Sequence, residues 1–278
     1  MQVISTAAEL RQRLANETSI AFVPTMGNLH AGHIGLVELA RQRGQCVVVS
    51  IFINPLQFGA NEDLANYPRT LEADLAMLQA TGTDVVFTPT EAEMYPVSQT
   101  VTVEPLTIAN ELCGAFRPGH FRGVATVVLK LFNMARPQVA VFGKKDFQQL
   151  FIIREMVKQL NLPIEIIAGE TVREADGLAM SSRHGYLSAT ERTEASHLYR
   201  ALQQAVQAIQ GGERDFAAVE AQASQSLTSH GWAVDYISVM SSSTLNPATT
   251  QDHNLVVLGA ARHGKTRLID NIEFSTTG

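Results

Sequence analysis

Short continuous apolar runs alternate along this chain with stretches whose apolar residues recur at helical spacing. Ile20-Ala21-Phe22-Val23 is the first such run, and Ile34 to Arg41 follows it with apolar residues at 36, 37, 39 and 40, which suits a helix. Residues 46–53 form a run apolar on both faces apart from Ser50, as expected of a central parallel strand covered by helices on both sides. Residues 84–87, 139–142 and 164–167 repeat the strand pattern. Helices are expected at 6–15 (Leu10 and Leu14 one turn apart), 70–81 (Leu71, Leu75 and Leu78, with Thr70 as cap and Gly82 as stop), 124–134 and 147–160. Thr100-Val101-Thr102-Val103 alternates and predicts a half-exposed strand.

From Ser188 the pattern changes. Ser188-Ala189-Thr190-Glu191 reads as a capping box for a long helix carrying Ala195, Leu198, Leu202, Ala205 and Ile209, ended by Gly211-Gly212. A helix over 216–229 and alternating runs at 234–240, 254–261 and 267–274 complete a small α+β region with an antiparallel sheet. The expectation is an α/β fold: a Rossmann-like, doubly wound parallel sheet over residues 1–175 and a smaller α+β C-terminal domain over 176–278.

At 278 residues, either part can bury a core of its own. Lys and Arg number 21 against 27 Asp and Glu, a net charge of −6, which disfavours a broad nucleic-acid surface. Cys46 and Cys113 lack metal-like spacing and are expected to be reduced and buried. Glu9, Arg11 and Arg13 fall where a signal peptide would be apolar, and no apolar run reaches the ~18 residues of a membrane span, so a cytoplasmic protein is expected.

The chemistry gathers at predicted strand ends. Pro24-Thr25-Met26-Gly27-Asn28-Leu29-His30-Ala31-Gly32-His33 joins a strand to a helix start, where unpaired N–H groups and the helix dipole favour phosphate. Three readings stand for it: a tight turn with two surface histidines, a metal site, or an adenylyl-transfer site with a His-x-Gly-His signature. The metal reading lacks a third ligand nearby. Asn54 and Gln57 follow the strand over 46–53, where ligands collect in open α/β sheets, although Asn-Pro also simply turns a chain. Arg117, His120 and Arg122 crowd a Gly-containing loop that could meet an anion or a partner subunit, or lie solvated. Gly143-Lys144-Lys145-Asp146 repeats the strand–loop–helix layout, with Gln149 one turn into the helix, and Met180-Ser181-Ser182-Arg183 offers several donors in a flexible loop. Residues 259–266 satisfy a P-loop pattern letter by letter, but the segment after them looks extended rather than helical, so a hairpin turn is expected there.

Taken together and in this order, the stretches 24–33, 52–58, 117–123, 142–149 and 180–183 resemble the pantothenate synthetase family, the pantoate–β-alanine ligases of coenzyme A biosynthesis. The resemblance implies a nucleotidyltransferase-type domain, a C-terminal lid and a homodimer. It also implies attack of pantoate's carboxylate on the α-phosphorus of ATP, and displacement of AMP from the pantoyl adenylate by β-alanine. Carried over, His30, His33, Lys145, Arg183 and Mg²⁺ neutralise the departing pyrophosphate, His33 as a proton or hydrogen-bond donor. ATP would be held along Met26 to His33 (Met26, Gly27, Asn28, Leu29, His30, Ala31, Gly32, His33), by Gly143, Lys144, Lys145 and Asp146, and by Val172, Met180, Ser181, Ser182 and Arg183. Gln57, Gln149 and Asn54 would read pantoate. No side chain is assigned as a metal ligand. Two positions depart from the family pattern: Lys144 stands where Glu is common, and His184 where Asn is often found. Rival readings are another adenylyl- or cytidylyl-transferase of this fold, or a nucleotide sensor that has lost activity.

Overall fold

The computed structural model describes residues 1–59 and 62–276. In chain order the elements are β1 (Gln2–Ile4), α1 (Ala7–Leu14), β2 (Ile20–Thr25), α2 (Ala31–Arg41), β3 (Cys46–Ile51), α3 (Leu71–Ala80), β4 (Val85–Phe87), the short α4 (Glu91–Met94) and α5 (Cys113–Phe116), and α6 (His120–Ala135). Then come β5 (Val139–Gly143), α7 (Phe147–Gln159), β6 (Glu165–Gly169), α8 (Ala189–Glu194), α9 (His197–Gln210), α10 (Phe216–Ser229), β7 (Ala233–Ser241), β8 (Asn254–His263) and β9 (Thr266–Ser275). The chain forms two compact units, Met1–Lys144 with Gln148–Glu170, and Lys145–Phe147 with Thr171–Gly278.

In the first unit six parallel strands lie in the order β1-β4-β3-β2-β5-β6. The period-2 alternation of each strand sorts its side chains between two helical layers. Ile20, Phe22, Val48, Phe87, Ala140 and Phe142 are buried with Leu10 of α1, Val128 and Leu131 of α6 and Ile153 of α7. Ala21, Val23, Val47, Val49, Val86, Val139 and Val141 are buried on the other face with Val37 and Ala40 of α2 and Leu78 of α3. A sheet clothed on both sides needs apolar residues at every position of its central strands, which is why those strands read as unbroken runs. Gly169 lets α2 sit close to the sheet, because a Cβ there would collide with Leu36.

The second unit is an antiparallel meander, β7-β8-β9, with α9 and α10 packed on it through Leu198, Leu202, Ile209, Val219 and Leu227. Gly259 of β8 lies under α9; an added Cβ would come within 2.8 Å of Ile237 and 3.1 Å of Leu198 and Leu202. The P-loop-like letters therefore belong to the end of β8, a turn with Gly264 at φ +61°, and the start of β9. Both cysteines are buried.

Several local expectations are corrected. Residues 100–103 join no ladder; the Val103 N–H donates to Thr126 Oγ1 (3.0 Å) and Val101 is exposed, so alternation without a backbone partner made no strand. The helix expected after Ser188 does start on a capping box, but it breaks at Ala195–Ser196 into α8 and α9. The helix expected from Val124 begins at His120. Thr70 makes no side-chain cap; its hydroxyl donates to Asp74 Oδ1 (3.1 Å). The three-residue β1 is too short to carry a pattern, and no strand is predicted there.

Candidate active site

Chain connectivity reverses direction at β2. From it the sheet runs to β3 and β4 on one side and to β5 and β6 on the other. In an open α/β sheet such a switch point leaves a crevice beyond the carboxyl ends of the two strands. The loop after β2 and the first turn of α2 carry Met26 to His33, and β5 ends in Gly143, followed by Lys144. The two stretches singled out by their glycines and charges thus flank the switch point.

His30 is the N-cap of α2 in extended backbone, and its Nδ1 accepts from the Gly32 N–H (3.1 Å). His33, in the first turn, accepts the His30 N–H at its own Nδ1 (3.3 Å). The two side chains cap the helix reciprocally, and their rings lie 4.2 Å apart between centroids. Because both Nδ1 atoms face backbone donors, each neutral imidazole carries its proton on Nε2. The pair therefore presents two N–H donors at a helix N-terminus, where the dipole already favours an anion.

The loop leading to these histidines is held by a residue that sequence reasoning missed. Asp74 of α3, 2% exposed, accepts from the Asn28 N–H at Oδ2 (2.9 Å) and the Leu29 N–H at Oδ1 (2.8 Å). Gly27 and Asn28 both take left-handed backbone, φ +82° and +51°. A side chain at Gly27 would be strained at this φ, and its Cβ would press on Asp74 Oδ2 and Ile51 Cγ2 at 3.0 Å. In sequence Asp74 looks like an ordinary acid in a helix's first turn; only the distant loop gives it a task.

Beyond β3 the chain makes a single 3₁₀ turn, Pro55–Gln57, capped by Asn54. Asn54 and Gln57 are buried and bonded to each other, Asn54 Nδ2 to Gln57 Oε1 at 3.1 Å. Gln57 Nε2 points at Met26 Sδ (3.1 Å), so the structure brings the Asn54–Gln57 pair to the β2 loop. Gly123 of α6 permits this, since a Cβ there would collide with the Leu56 carbonyl. The cations of residues 117–122, which span the start of α6, are engaged inside the unit. Arg117 forks onto the Glu62 carboxylate and reaches His120 Nε2 (3.0 Å), and His120 Nδ1 meets the Gln57 carbonyl (2.8 Å). Burial works to raise the Glu62 carboxyl, but the Arg117 hydrogen bond and charge outweigh it and hold the group below its ordinary range. Arg122 pairs with Glu104 (2.6 Å) at the surface. Lys144 pairs with Glu170 (2.6 Å). Gln148 is buried and holds backbone at Cys113, Ile108 and Glu111, whereas its neighbour Gln149 stays partly exposed.

Lys145 and Asp146 belong to the second unit, together with Val172, Met180, Ser181, Ser182 and Arg183. Asn271 Nδ2 holds Lys145 by its backbone carbonyl (2.9 Å). Val172 and Met180 face each other across a tight hairpin, with the Met180 N–H on the Val172 carbonyl (3.0 Å). Arg173 braces that hairpin: it makes a bidentate pair with the buried Asp270 (2.7 and 2.9 Å), donates to the Gly177 carbonyl (3.0 Å) and lies 3.8 Å above the Tyr199 ring. Ser181 then caps the 3₁₀ turn Ser182–Tyr186, its Oγ accepting the Arg183 N–H (3.2 Å). His184 follows, its protonation disfavoured first by burial and then by Lys145 and Arg192. Arg173, Asp270 and Asn271 carried no sequence signal, because their partners lie about a hundred residues away. Among the described residues no group of three His, Cys, Asp or Glu could cage a metal ion.

The family model described as pantoate-beta-alanine ligase matches residues 2–273. A pantothenate synthetase of Methylobacillus flagellatus is 68% identical over 275 residues, covering 99% of each chain. One from Thiobacillus denitrificans is 60% identical, covering 99% of this chain and 98% of its own. Among solved structures, a pantothenate synthetase from Thermus thermophilus superposes with a TM-score of 0.94 at 44% identity, covering 98% of this chain and 99% of its own. The pantoate-beta-alanine ligase of Francisella tularensis, complexed with beta-gamma ATP and beta-alanine, gives 0.81 at 33% identity, covering 98% and 97%. With its six-stranded parallel sheet, its small antiparallel domain and its capped histidine pair, the chain belongs to the pantoate–β-alanine ligase family.

Proposed function

We propose that this enzyme joins pantoate to β-alanine in two steps through an enzyme-bound pantoyl adenylate. The observation that carries this reading is the His30–His33 pair, two Nε2–H donors set at the start of α2 beside a sheet switch point. In the first step a carboxylate oxygen of pantoate attacks the α-phosphorus of ATP, and the bond from that phosphorus to the α,β-bridging oxygen breaks to release pyrophosphate. Negative charge grows on the leaving group, so placed donors and cations lower the barrier without moving during it. His33 and His30 donate to that charge, and Lys145 and Arg183 balance it, with Ser181 and Ser182 on the β and γ groups. Backbone at Met26, Gly143 and Val172 lines adenosine, with Asp146 toward the ribose. Gln57 and Gln149 read pantoate. In the second step the free amine of β-alanine attacks the acyl carbon, AMP leaves with the bonding electron pair, and the amine's proton goes to solvent.

Magnesium enters as part of the nucleotide substrate, where it neutralises triphosphate charge. A cation bound mainly by phosphate oxygens and water fits a protein whose described residues offer no three-acid or histidine cage. We further infer a cytoplasmic homodimer, in keeping with the family; light scattering of the purified protein tests the stoichiometry.

The reading is tested by isotope exchange between pyrophosphate and ATP. Exchange that needs pantoate and Mg²⁺ but not β-alanine supports the adenylate. Exchange that appears only when β-alanine is added, with pantothenate still formed, refutes the two-step order. AMP release only with both acids, and pantothenate identified by mass, tests the overall reaction.

A further inference from the structure

Gln57 does not itself decide which end of its amide faces the β2 loop; Asn54 decides it. The Leu56 N–H can only donate, so the Asn54 atom it meets is Oδ1 (3.3 Å). The Gly123 carbonyl can only accept, so the Asn54 atom it meets is Nδ2 (3.2 Å). With the Asn54 amide fixed by these two backbone groups, the Tyr95 hydroxyl 2.7 Å from Oδ1 must donate. The second hydrogen of Nδ2 goes to Gln57, whose near atom is then Oε1 (3.1 Å). Gln57 Nε2 is turned the other way, toward Met26 Sδ on the β2 loop. These four bonds fill two donor and two acceptor positions, the full capacity of the Asn54 amide.

The bond from Tyr95 is the tightest of the four, 2.7 Å against 3.1 to 3.3 Å. Tyr95 follows α4 and is itself held: its ring lies 6.1 Å from Phe52 between centroids, and Lys130 Nζ sits 4.9 Å from the ring centre. Burial, with a smaller push from Glu91, drives the phenol's pKa upward, so the hydroxyl stays a donor across the working pH range.

We propose that Tyr95 is a positioning residue for recognition of the acid substrate: its hydroxyl holds Asn54, and Asn54 holds Gln57 with its N–H groups toward the β2 loop, so that the site selects an acceptor oxygen of pantoate. Asn54, expected from the sequence to contact substrate, acts here through Gln57. The proposal rests on the reading of Gln57 as a pantoate-binding residue, and the experiment separates the two.

Steady-state kinetics are measured for wild type, Tyr95→Phe, Gln57→Ala and the double variant, with calorimetric titration of pantoate where turnover is too low. Tyr95→Phe is expected to raise KM for pantoate about five- to tenfold, the equivalent of one lost hydrogen bond. Its kcat at saturating pantoate should stay within about twofold, and KM for ATP and β-alanine should not move, a split that general loosening would not give. In the Gln57→Ala background the same change should weaken pantoate binding by less than about twofold, because the group it positions is gone. A wild-type KM in Tyr95→Phe, or a full additive effect in the double variant, overturns the positioning role while leaving Gln57 as a pantoate ligand. Unchanged pantoate binding in Gln57→Ala alone overturns both.

Discussion

Removing the Asp74 carboxylate should disable the histidine pair without touching it. Two backbone N–H groups rely on that side chain, one at a buried position (Leu29) and one at a partly exposed position (Asn28). A hydrogen bond to a charged group contributes about 1.5–3 kcal/mol, and the Asn28 N–H can regain part of its share from water, so Asp74→Ala should cost about 2–4 kcal/mol in all. At about 2–4 °C per kcal/mol the melting temperature of the first unit should fall on the order of 5–15 °C. The kinetic effect should exceed the structural one. Asn28 holds left-handed backbone at φ +51°, which an anchored loop tolerates and a freed one abandons, and it lies two residues before His30. A displacement of about 1 Å at reacting groups costs about 100-fold in kcat, and that loss is expected here with the variant still folded. Asp74→Asn should fall between, since it keeps one acceptor but sets an amide N–H against a backbone N–H. The assays are AMP release under saturating substrates and calorimetric melting of the same preparations. Wild-type turnover in a stably folded Asp74→Ala protein would refute the claim that this carboxylate positions the loop.

Lys145→Ala should abolish most pyrophosphate–ATP exchange yet leave the melting profile close to wild type, because Asn271 holds the backbone carbonyl of residue 145 and not its side chain; exchange at the normal rate would sink its assignment. Arg173→Ala should destabilise the second unit by about 3–5 kcal/mol, since it leaves Asp270 buried without its cation and strips the guanidinium from Tyr199; urea unfolding followed by a probe in that unit measures this. His184 has its pKa depressed below the ordinary 6.5, so below that pH the unfolded chain takes up a proton that the native chain does not. The contribution of this group to native stability is therefore fully present above about 6.5 and declines as pH falls through the window toward the lower folded value. His184→Asn should flatten that decline when unfolding is compared at neutral and mildly acid pH, and an identical slope in the variant would count against the burial of a neutral imidazole there.

What could be read from the chain, and what could not, divides by sequence separation. The central strands showed because burial on two faces writes a continuous apolar run. The histidine site showed because a helix start, two glycines and two imidazoles fall within ten consecutive residues, and the bond between His30 and His33 spans only three. The groups that hold the chemistry in place lie far from what they hold. Asp74 meets Asn28 across 46 residues, Tyr95 meets Asn54 across 41, and Asn271 meets Lys145 across 126. None has a local signature: Asp74 looks like a helix-start acid, Tyr95 sits in an irregular segment, and Asn271 lies in a strand. Alternation at 100–103 failed for the converse reason, since a local pattern was present and the distant backbone partner was not. The groups proposed to act in this site are thus encoded by motif, and their geometry is encoded by topology. Substitutions at the distant positioning residues should therefore lower turnover or shift KM while every recognisable motif stays intact.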